Sequence, residues 1–338
     1  MKRFCGLLLI LSLLLSGCAA KPAAPRQYTA TFLTLFDTVT TVVGPGETEE
    51  AFRAKAQKVH DDLLYYHQLF DIYQEYEGVN NLKTVNDQAG MAPVTVDRAI
   101  IDLLLDCKRY HTLTGGKVNA AMGSVLSLWH EARTDGLRDP RSAKLPDRDQ
   151  LTAAAEHTDI NAVIIDEEAS TVCLSDPELR LDVGAIAKGW ATQRVAEKAP
   201  AGLLISVGGN VCATGPKNGD TPWVIGIRNP EGEENLHTLY VKEGAVVTSG
   251  DYQRTYWVEG KQYHHIIDPD TQMPSTDWRS VSVVCEDSGL ADALSTALFL
   301  LPLEEGKTLA AQCGVEVLWV NADQQEYSTP GFGALIRT

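Results

Sequence analysis

Apolar side chains recur every three or four positions between residues 49 and 70: Phe52, Ala56, Val59, Leu63, Tyr66 and Phe70. This spacing predicts a long amphipathic helix. Comparable patterns predict further helices within 96–112, after the glycine pair at 115–116, across 151–156, from 181 toward 199, over 288–301 and over 303–313. The segments 71–92 and 133–149 are polar and are predicted to be loops.

Runs rich in β-branched residues are concentrated in the second half of the chain and predict strands. The predicted strands cover 29–43, 162–165, 171–174, 202–207, 223–228, 236–241, 245–249, 254–258, 280–285, 315–320 and a segment near Ala334. Because most helices precede most strands, without a regular alternation, we predict an α+β fold and not a doubly wound parallel sheet.

The N-terminus carries the features of an export signal. A short basic segment, Lys2-Arg3, precedes apolar residues 7–15 and a lipobox, LSGC, that ends at Cys18. We therefore predict a signal peptide at 1–17, lipid on Cys18 and a tether over 18–28, followed by one domain over 29–338. This places the protein at the cell membrane, lipid-anchored and facing the extracytoplasmic side. The alternative is an ordinary signal peptide with an incidental cysteine.

Composition and charge limit the classes of ligand and partner that the protein can bind. The 338 residues are 44% hydrophobic and 22% charged, which is typical of a globular domain, and the net charge of −16 argues against nucleic acid. An acidic protein that binds an anionic substrate needs cations placed locally, and a divalent metal would supply them. The seven cysteines are scattered without a CxxC motif, which argues against a zinc site.

Segment 288–301 combines an apolar helix with a stripe of oxygen ligands. Ser288 is predicted to be its N-cap, and Asp292, Ser295 and Thr296 share one helical face. A carboxylate on an apolar helix is costly unless it is paired or binds a metal, and this ligand set suits Mg²⁺ or Ca²⁺. The alternative is that Asp292 complements the helix dipole and the hydroxyls bond to nearby carbonyls.

Three further segments are candidates for chemistry. DVGAIAKG (182–189) places glycines and a lysine at a helix start, which suits a phosphate, but taken by itself the segment favours the alternative, a tight helix start with Lys188 in solvent. TSGDY (248–252) is a polar turn of the kind that lines pockets. His264 and His265 are predicted to lie on a strand and to point to opposite faces, so one of them is a candidate general base.

Taken together, these motifs resemble the ApbE family of FAD:protein FMN transferases. The resemblance covers roughly 32–301 and is carried by LFDTVTTV (35–42), LDVGAIAKGWA (181–191), SVGGNVCATG (206–215), TSGDYQR (248–254), HHIIDPDTQMP (264–274) and ADALSTAL (291–298). It implies a largely antiparallel-sheet core with flanking helices, similar to the T-fold, in two intimately joined lobes.

The resemblance also implies a Mg²⁺-dependent reaction that moves FMN from FAD to a Thr or Ser of an acceptor protein and releases AMP. Typical acceptors are redox-complex subunits or small flavin-binding domains. By motif matching, the general base is His265, and the implied metal ligands are Ala185 through its carbonyl, Asp292 and Thr296, with Ser295 beside them. The implied FAD contacts are Phe36, Tyr73, Ala121, Met122, Gly123, Asp182, Lys188 and Ile266.

Two departures from the family pattern bear on the site. Asn119 stands where the family often has an acid, and Gln272 replaces the glycine of the usual DPxTG motif. Two alternatives remain open at this point. One is an FAD pyrophosphatase that makes FMN and AMP at the same site, and the other is a lipid-anchored flavin-binding protein without turnover.

Overall fold

The computed structural model describes residues 26–337. Its helices are α1 (Glu49–Phe70), α2 (Leu82–Asp87), α3 (Arg98–Leu113), α4 (Gly123–Arg138), α5 (Arg148–Ala155), α6 (Ala187–Ala196), α7 (Ser288–Leu300) and α8 (Leu303–Cys313). Its strands are β1 (Arg26–Phe32), β2 (Thr40–Gly46), β3 (Val94–Thr95), β4 (Val163–Asp166), β5 (Thr171–Leu174), β6 (Leu204–Val207), β7 (Asn210–Ala213), β8 (Trp223–Arg228), β9 (Asn235–Val241), β10 (Gly244–Gly250), β11 (Tyr256–Val258), β12 (Lys261–Tyr263), β13 (Trp278–Cys285), β14 (Glu316–Asn321) and β15 (Glu326–Ser328).

Within the described residues, one eight-stranded sheet organises the fold, in the order β1-β2-β6-β7-β10-β13-β14-β15. Every neighbouring pair in this sheet is antiparallel. A three-stranded sheet, β3-β5-β4, and the pairs β8-β9 and β11-β12 lie outside it. The predicted α+β class, with a largely antiparallel sheet and flanking helices, is confirmed.

Helix α7 is the most buried helix on this sheet. Leu294, Ala297, Leu298 and Phe299 have no exposed surface, and the helix packs against β10 and β13. Helix α6 crosses α7 where Gly189 lies against Ser288 and Asp292. A Cβ on Gly189 would overlap the Ser288 carbonyl and the Asp292 Cβ. The glycine therefore sets how closely the two helices approach.

The predicted helices agree best with the structure where the apolar repeat extends over many residues. The bounds of α1 and α8 agree with the predicted 49–70 and 303–313, and the predicted strands over 162–165 and 171–174 match β4 and β5, which pair antiparallel. Helix α4 runs on to Arg138, so the predicted loop over 133–149 begins later than expected. The segment 71–92 contains α2, whose capping box joins Asn81 and Thr84, so the prediction of a loop throughout was wrong there.

Other boundary predictions were also wrong. The predicted strand over 29–43 is a hairpin of β1 and β2, interrupted by a short 3₁₀ turn, Leu35–Asp37. The segment near Ala334 is a 3₁₀ turn, Phe332–Leu335, and not a strand. The N-cap of α7 is Asp287, whose carboxylate accepts from the Leu290 N–H, so Ser288 is the first helical residue.

The N-terminal predictions fall mostly outside the described residues. The signal peptide at 1–17, Cys18 and the first part of the 18–28 tether lie there, while residues 26–28 belong to β1. No helix within 26–337 combines the length and the apolar character needed to cross a bilayer.

Candidate active site

A cavity of about 400 Å³ opens where α4, α6 and α7 meet the ends of β7 and β10 and the loop after β12. Ligand pockets in proteins commonly have volumes of about 300–1,000 Å³. Nine of the predicted site residues line it: Tyr73, Met122, Asp182, Ala185, Lys188, His265, Ile266, Asp292 and Thr296. The cavity thus joins segments that are far apart in the sequence.

Asp292 is the buried carboxylate of this cavity. The residue is 4% exposed, and its Oδ2 accepts a hydrogen bond of 2.8 Å from the Gly189 N–H. Lys188 Nζ lies 3.6 Å from the same oxygen and also donates to the Gly184 carbonyl over 3.0 Å. Burial raises the pKa of Asp292, and Lys188 and the Gly189 N–H oppose that shift. The start of α6 therefore supplies positive charge to a carboxylate on α7.

The oxygen atoms around Asp292 suit a hard divalent cation. Ala185 and Thr296 line the same cavity, and the Thr296 hydroxyl makes no side-chain hydrogen bond within the described part of the chain. Among residues 26–337, no three His, Cys, Asp or Glu side chains gather into a metal cluster. One carboxylate, one hydroxyl and one carbonyl leave coordination positions for water and phosphate oxygens, which Mg²⁺ prefers.

Ser295 lies behind the cavity wall. It has no exposed surface, its hydroxyl donates to the Asp292 carbonyl over 2.9 Å, and it lies 2.8 Å from the Ser249 hydroxyl. These contacts fix α7 against β10. The Ser295 side chain therefore positions the helix turn that carries Asp292 and Thr296.

The two adjacent histidines have different environments. They follow β12 in a loop, so the prediction that they lie on a strand was wrong. His264 is held at both ring nitrogens: Nε2 pairs with the Ser275 carbonyl over 2.6 Å, and Nδ1 accepts from the Ile266 N–H over 3.2 Å. This histidine is structural.

Only one ring nitrogen of His265, Nδ1, has a hydrogen-bond partner within the described residues. Its Nδ1 lies 3.2 Å from the Gln253 carbonyl, so the neutral ring carries its proton on Nδ1 and leaves Nε2 as an acceptor. Burial lowers the pKa of His265 to about 3, and Arg254, His264, Lys188 and Arg133 act in the same direction. Positive charge thus surrounds a neutral imidazole.

Three of the predicted FAD contacts do not line the cavity. Phe36 donates its backbone N–H to His67 Nδ1, Ala121 is fully buried, and the Gly123 N–H donates to the Arg180 carbonyl over 2.9 Å. Phe36 and Asp37 both have a φ of 52°, and Asp37 does line the cavity. Left-handed backbone at non-glycine residues is costly and is often found at functional sites.

Sequence reasoning missed several wall residues. His130 and Arg133 on α4, Arg254 after β10 and Asn210 on β7 all line the cavity. Asn210 is 2% exposed, and its side chain lies beside the Asp292 carboxylate, where it opposes the rise in the Asp292 pKa that burial causes. Arg254 belongs to the TSGDYQR motif, but the two α4 residues carry no motif signal.

The two departures from the family pattern are accommodated locally. Asn119 accepts from the Ala121 N–H over 2.9 Å and donates to the Thr158 carbonyl over 2.8 Å, so it holds the turn before α4. Gln272 adopts a φ of 55°, and its side-chain amide donates to the carbonyls of Pro269 and Asp270. The turn therefore keeps the left-handed backbone that glycine favours.

Comparisons with known proteins agree with this site. Residues 34–319 match the ApbE family. The FAD:protein FMN transferase of Treponema pallidum is 34% identical over 310 residues, which cover 83% of each protein. That of Klebsiella pneumoniae is 34% identical over 264 residues, 73% of this chain and 78% of that protein. The crystal structure of the ApbE protein from Thermotoga maritima has a TM-score of 0.81 at 28% identity, over 93% of this chain and 100% of that one.

Proposed function

This chain belongs to the ApbE family, and on that premise we propose that it is an FAD:protein FMN transferase. It transfers the FMN half of FAD to a Thr or Ser hydroxyl of an acceptor protein and releases AMP. One observation carries the proposal: Lys188, His265, Asp292 and Thr296, from three distant segments, line one cavity. A cation, a neutral base and oxygen ligands are what phosphoryl transfer requires.

The chain's own residues fit a divalent cation. Asp292, Thr296 and the Ala185 carbonyl would hold Mg²⁺, with Ser295 fixing the turn that presents them. When bound, such an ion neutralises phosphate charge and favours attack at phosphorus. Lys188, whose Nζ lies 3.6 Å from Asp292 Oδ2, would hold phosphate oxygens beside the ion.

His265 accepts the proton of the attacking hydroxyl. A pKa of about 3 makes a weak base in the free protein, but Arg254, Lys188 and Arg133 are part of its cause. The two negative charges of the FAD diphosphate offset those cations and raise the pKa of His265 above its value in the free protein, while burial, the largest cause of the lowered pKa, remains. Bound FAD thus makes His265 a stronger base toward the acceptor hydroxyl than it is in the free protein.

The transfer exchanges one bond at the FMN phosphorus for another. The acceptor oxygen forms a bond to the phosphorus of the FMN phosphate, and its proton passes to Nε2 of His265. The bond between that phosphorus and the bridging oxygen breaks, and the electron pair leaves with AMP. Tyr73, Met122 and Ile266 line the cavity beside these groups and exclude water from them.

Acceptor labelling tests the proposal. Purified protein is incubated with FAD, Mg²⁺ and a small flavin-binding acceptor domain, and intact mass spectrometry follows the acceptor. We expect a mass gain equal to one FMN and an equal amount of AMP. FMN and AMP in solution without a gain on the acceptor would favour a pyrophosphatase, and FAD left intact would favour a binding protein.

We further propose that the protein is anchored by lipid on Cys18 at the extracytoplasmic face of the cell membrane. The lipobox at 15–18 supports this location, where membrane redox subunits are candidate acceptors. Replacement of Cys18 by Ser is expected to move the protein from the membrane fraction to the soluble fraction. Unchanged membrane association of that variant would contradict the anchor.

A further inference from the structure

Arg133 and Arg254 place two cations on the wall of the cavity. Both line the cavity, and within residues 26–337 neither forms an ion pair with a carboxylate, since the polar contacts of Arg133 are with His130 and the Arg254 carbonyl. Asp37 and Asp182 line the same cavity without pairing with either arginine. In a protein with a net charge of −16, two unpaired guanidinium groups in one cavity point to an anionic ligand.

The Arg133 side chain is held against the segment that carries Arg254. Arg133 Nη2 lies 3.0 Å from His130 Nδ1, and its Nη1 donates to the Arg254 carbonyl over 3.5 Å. Residue 254 has a φ of 46°, a left-handed conformation that is unfavourable for a non-glycine residue. Burial lowers the pKa of Arg133, and Arg254 adds to that effect. Arg133 is therefore half-buried against the Arg254 backbone, the Arg254 side chain is exposed at the cavity wall, and neither pairs with a carboxylate within the described residues.

We propose that Arg133 and Arg254 bind the phosphate of FAD that departs with AMP. This inference rests on the proposed function. Lys188 and the oxygen ligands lie together at the α6–α7 crossing, where the attacked phosphate is held. The arginines come from α4 and the segment after β10, so they are the cations available to the second phosphate.

The two arginines would stabilise the negative charge that develops on the departing AMP. When the bond to the bridging oxygen breaks, the electron pair stays on that oxygen, and the AMP phosphate gains negative charge. A guanidinium fork matches phosphate geometry and binds two oxygens at once. The arginines therefore stabilise the departing AMP more than they stabilise intact FAD.

Binding of AMP and FMN by calorimetry, in EDTA and without acceptor, tests the assignment. We expect Arg133→Met and Arg254→Asn to bind AMP about ten- to a hundred-fold more weakly, because a hydrogen bond to a charged group contributes about 1.5–3 kcal/mol. The asparagine is chosen because it tolerates left-handed backbone. FMN affinity should change less than about three-fold, on the scale of a few tenths of a kcal/mol.

Two controls separate the outcomes. Arg141→Met removes the same charge from a side chain that is 95% exposed and outside the cavity, and it should bind AMP as the wild type does. Arg254→Lys keeps the charge without the fork and should recover part of the affinity. Circular dichroism and the melting temperature confirm that each variant is folded.

Unchanged AMP affinity in both arginine variants, or an equal loss for FMN, would overturn the inference while the transferase assignment stood. Wild-type protein that binds neither FAD nor AMP would contradict the proposed function itself. In the labelling reaction, the arginine variants should lose kcat more than they raise KM, since the added charge appears only as the bond breaks.

Discussion

The backbone N–H of Gly189 donates to Oδ2 of Asp292 over 2.8 Å, across 103 positions of sequence. This bond joins the start of α6 to the second turn of α7. Two motifs that are separate in the sequence thereby form one unit, with Lys188 on one side and Thr296 on the other. The geometry of the carboxylate depends on how closely the two helices approach.

Gly189→Ala is expected to disturb this crossing. The added methyl group would overlap the Ser288 carbonyl and Asp292 Cβ, and such overpacking costs about 1–3 kcal/mol. We expect a lower free energy of unfolding in urea and a loss of transfer greater than the loss of folded protein. Gly333→Ala is the matched control, because a Cβ there meets nothing within 4 Å. Equal stability of the two variants would show that the crossing tolerates a methyl group.

Asp292→Asn should separate folding from metal-dependent activity. The amide keeps an acceptor for the Gly189 N–H but removes the only carboxylate of the proposed ligand set, and transfer should fall by roughly a thousand-fold. The wild-type melting temperature should rise with added Mg²⁺, and that of the variant should not. Asp287→Asn is the control on the same helix, because asparagine is an equally good N-cap. A variant at 292 with wild-type transfer would remove this carboxylate from the mechanism.

His265→Gln is expected to reduce the acid sensitivity of the fold. The folded pKa of about 3 lies below the unfolded value near 6.5, so the unfolded chain binds the proton more readily. Stability therefore falls as the pH drops below about 6.5, by up to about 1.4 kcal/mol per unit of pH. The variant, which lacks this titration, should lose less stability than the wild type between pH 7.5 and pH 5 in urea unfolding.

His157 supplies a control of opposite sign. Its hydrogen bond to Asp176 raises the pKa of His157, so the stability it adds is present at low pH and is lost as the pH rises. His157→Gln should therefore lose a little stability at pH 5 and almost none at pH 7.5. If both histidine variants shifted the pH dependence in the same direction, burial of His265 would not be the cause.

The turn at Gln272 should tolerate glycine but not a β-branched residue. Glycine relieves a left-handed backbone but loses two amide hydrogen bonds, so the free energy of unfolding should change by less than about 1 kcal/mol. Gln272→Val forces a branched side chain into φ of 55° and should cost about 1–3 kcal/mol. Thermal melting of the two variants measures the difference, and a valine variant as stable as the glycine variant would argue that the turn relaxes.

Periodicity and motif content predicted much of this molecule, because α1 and α8 bury a regular apolar stripe and the motif residues converge on one cavity. Other features had no such signal. Strand β12 is three residues long, and the break between β1 and β2 depends on left-handed residues that the β-branched pattern hides. Arg133 reaches the cavity only through the direction of α4, which the packing of the folded chain decides.

The cavity wall extends from Asp37, near the beginning of the domain, to Thr296, close to its end. A ribosome-bound chain that stops before α7 therefore carries Lys188 and His265 but neither Asp292 nor Thr296. Truncations upstream of residue 288 should therefore be inert however well their remaining parts fold, because the buried carboxylate and the hydroxyl of the cavity both come from α7.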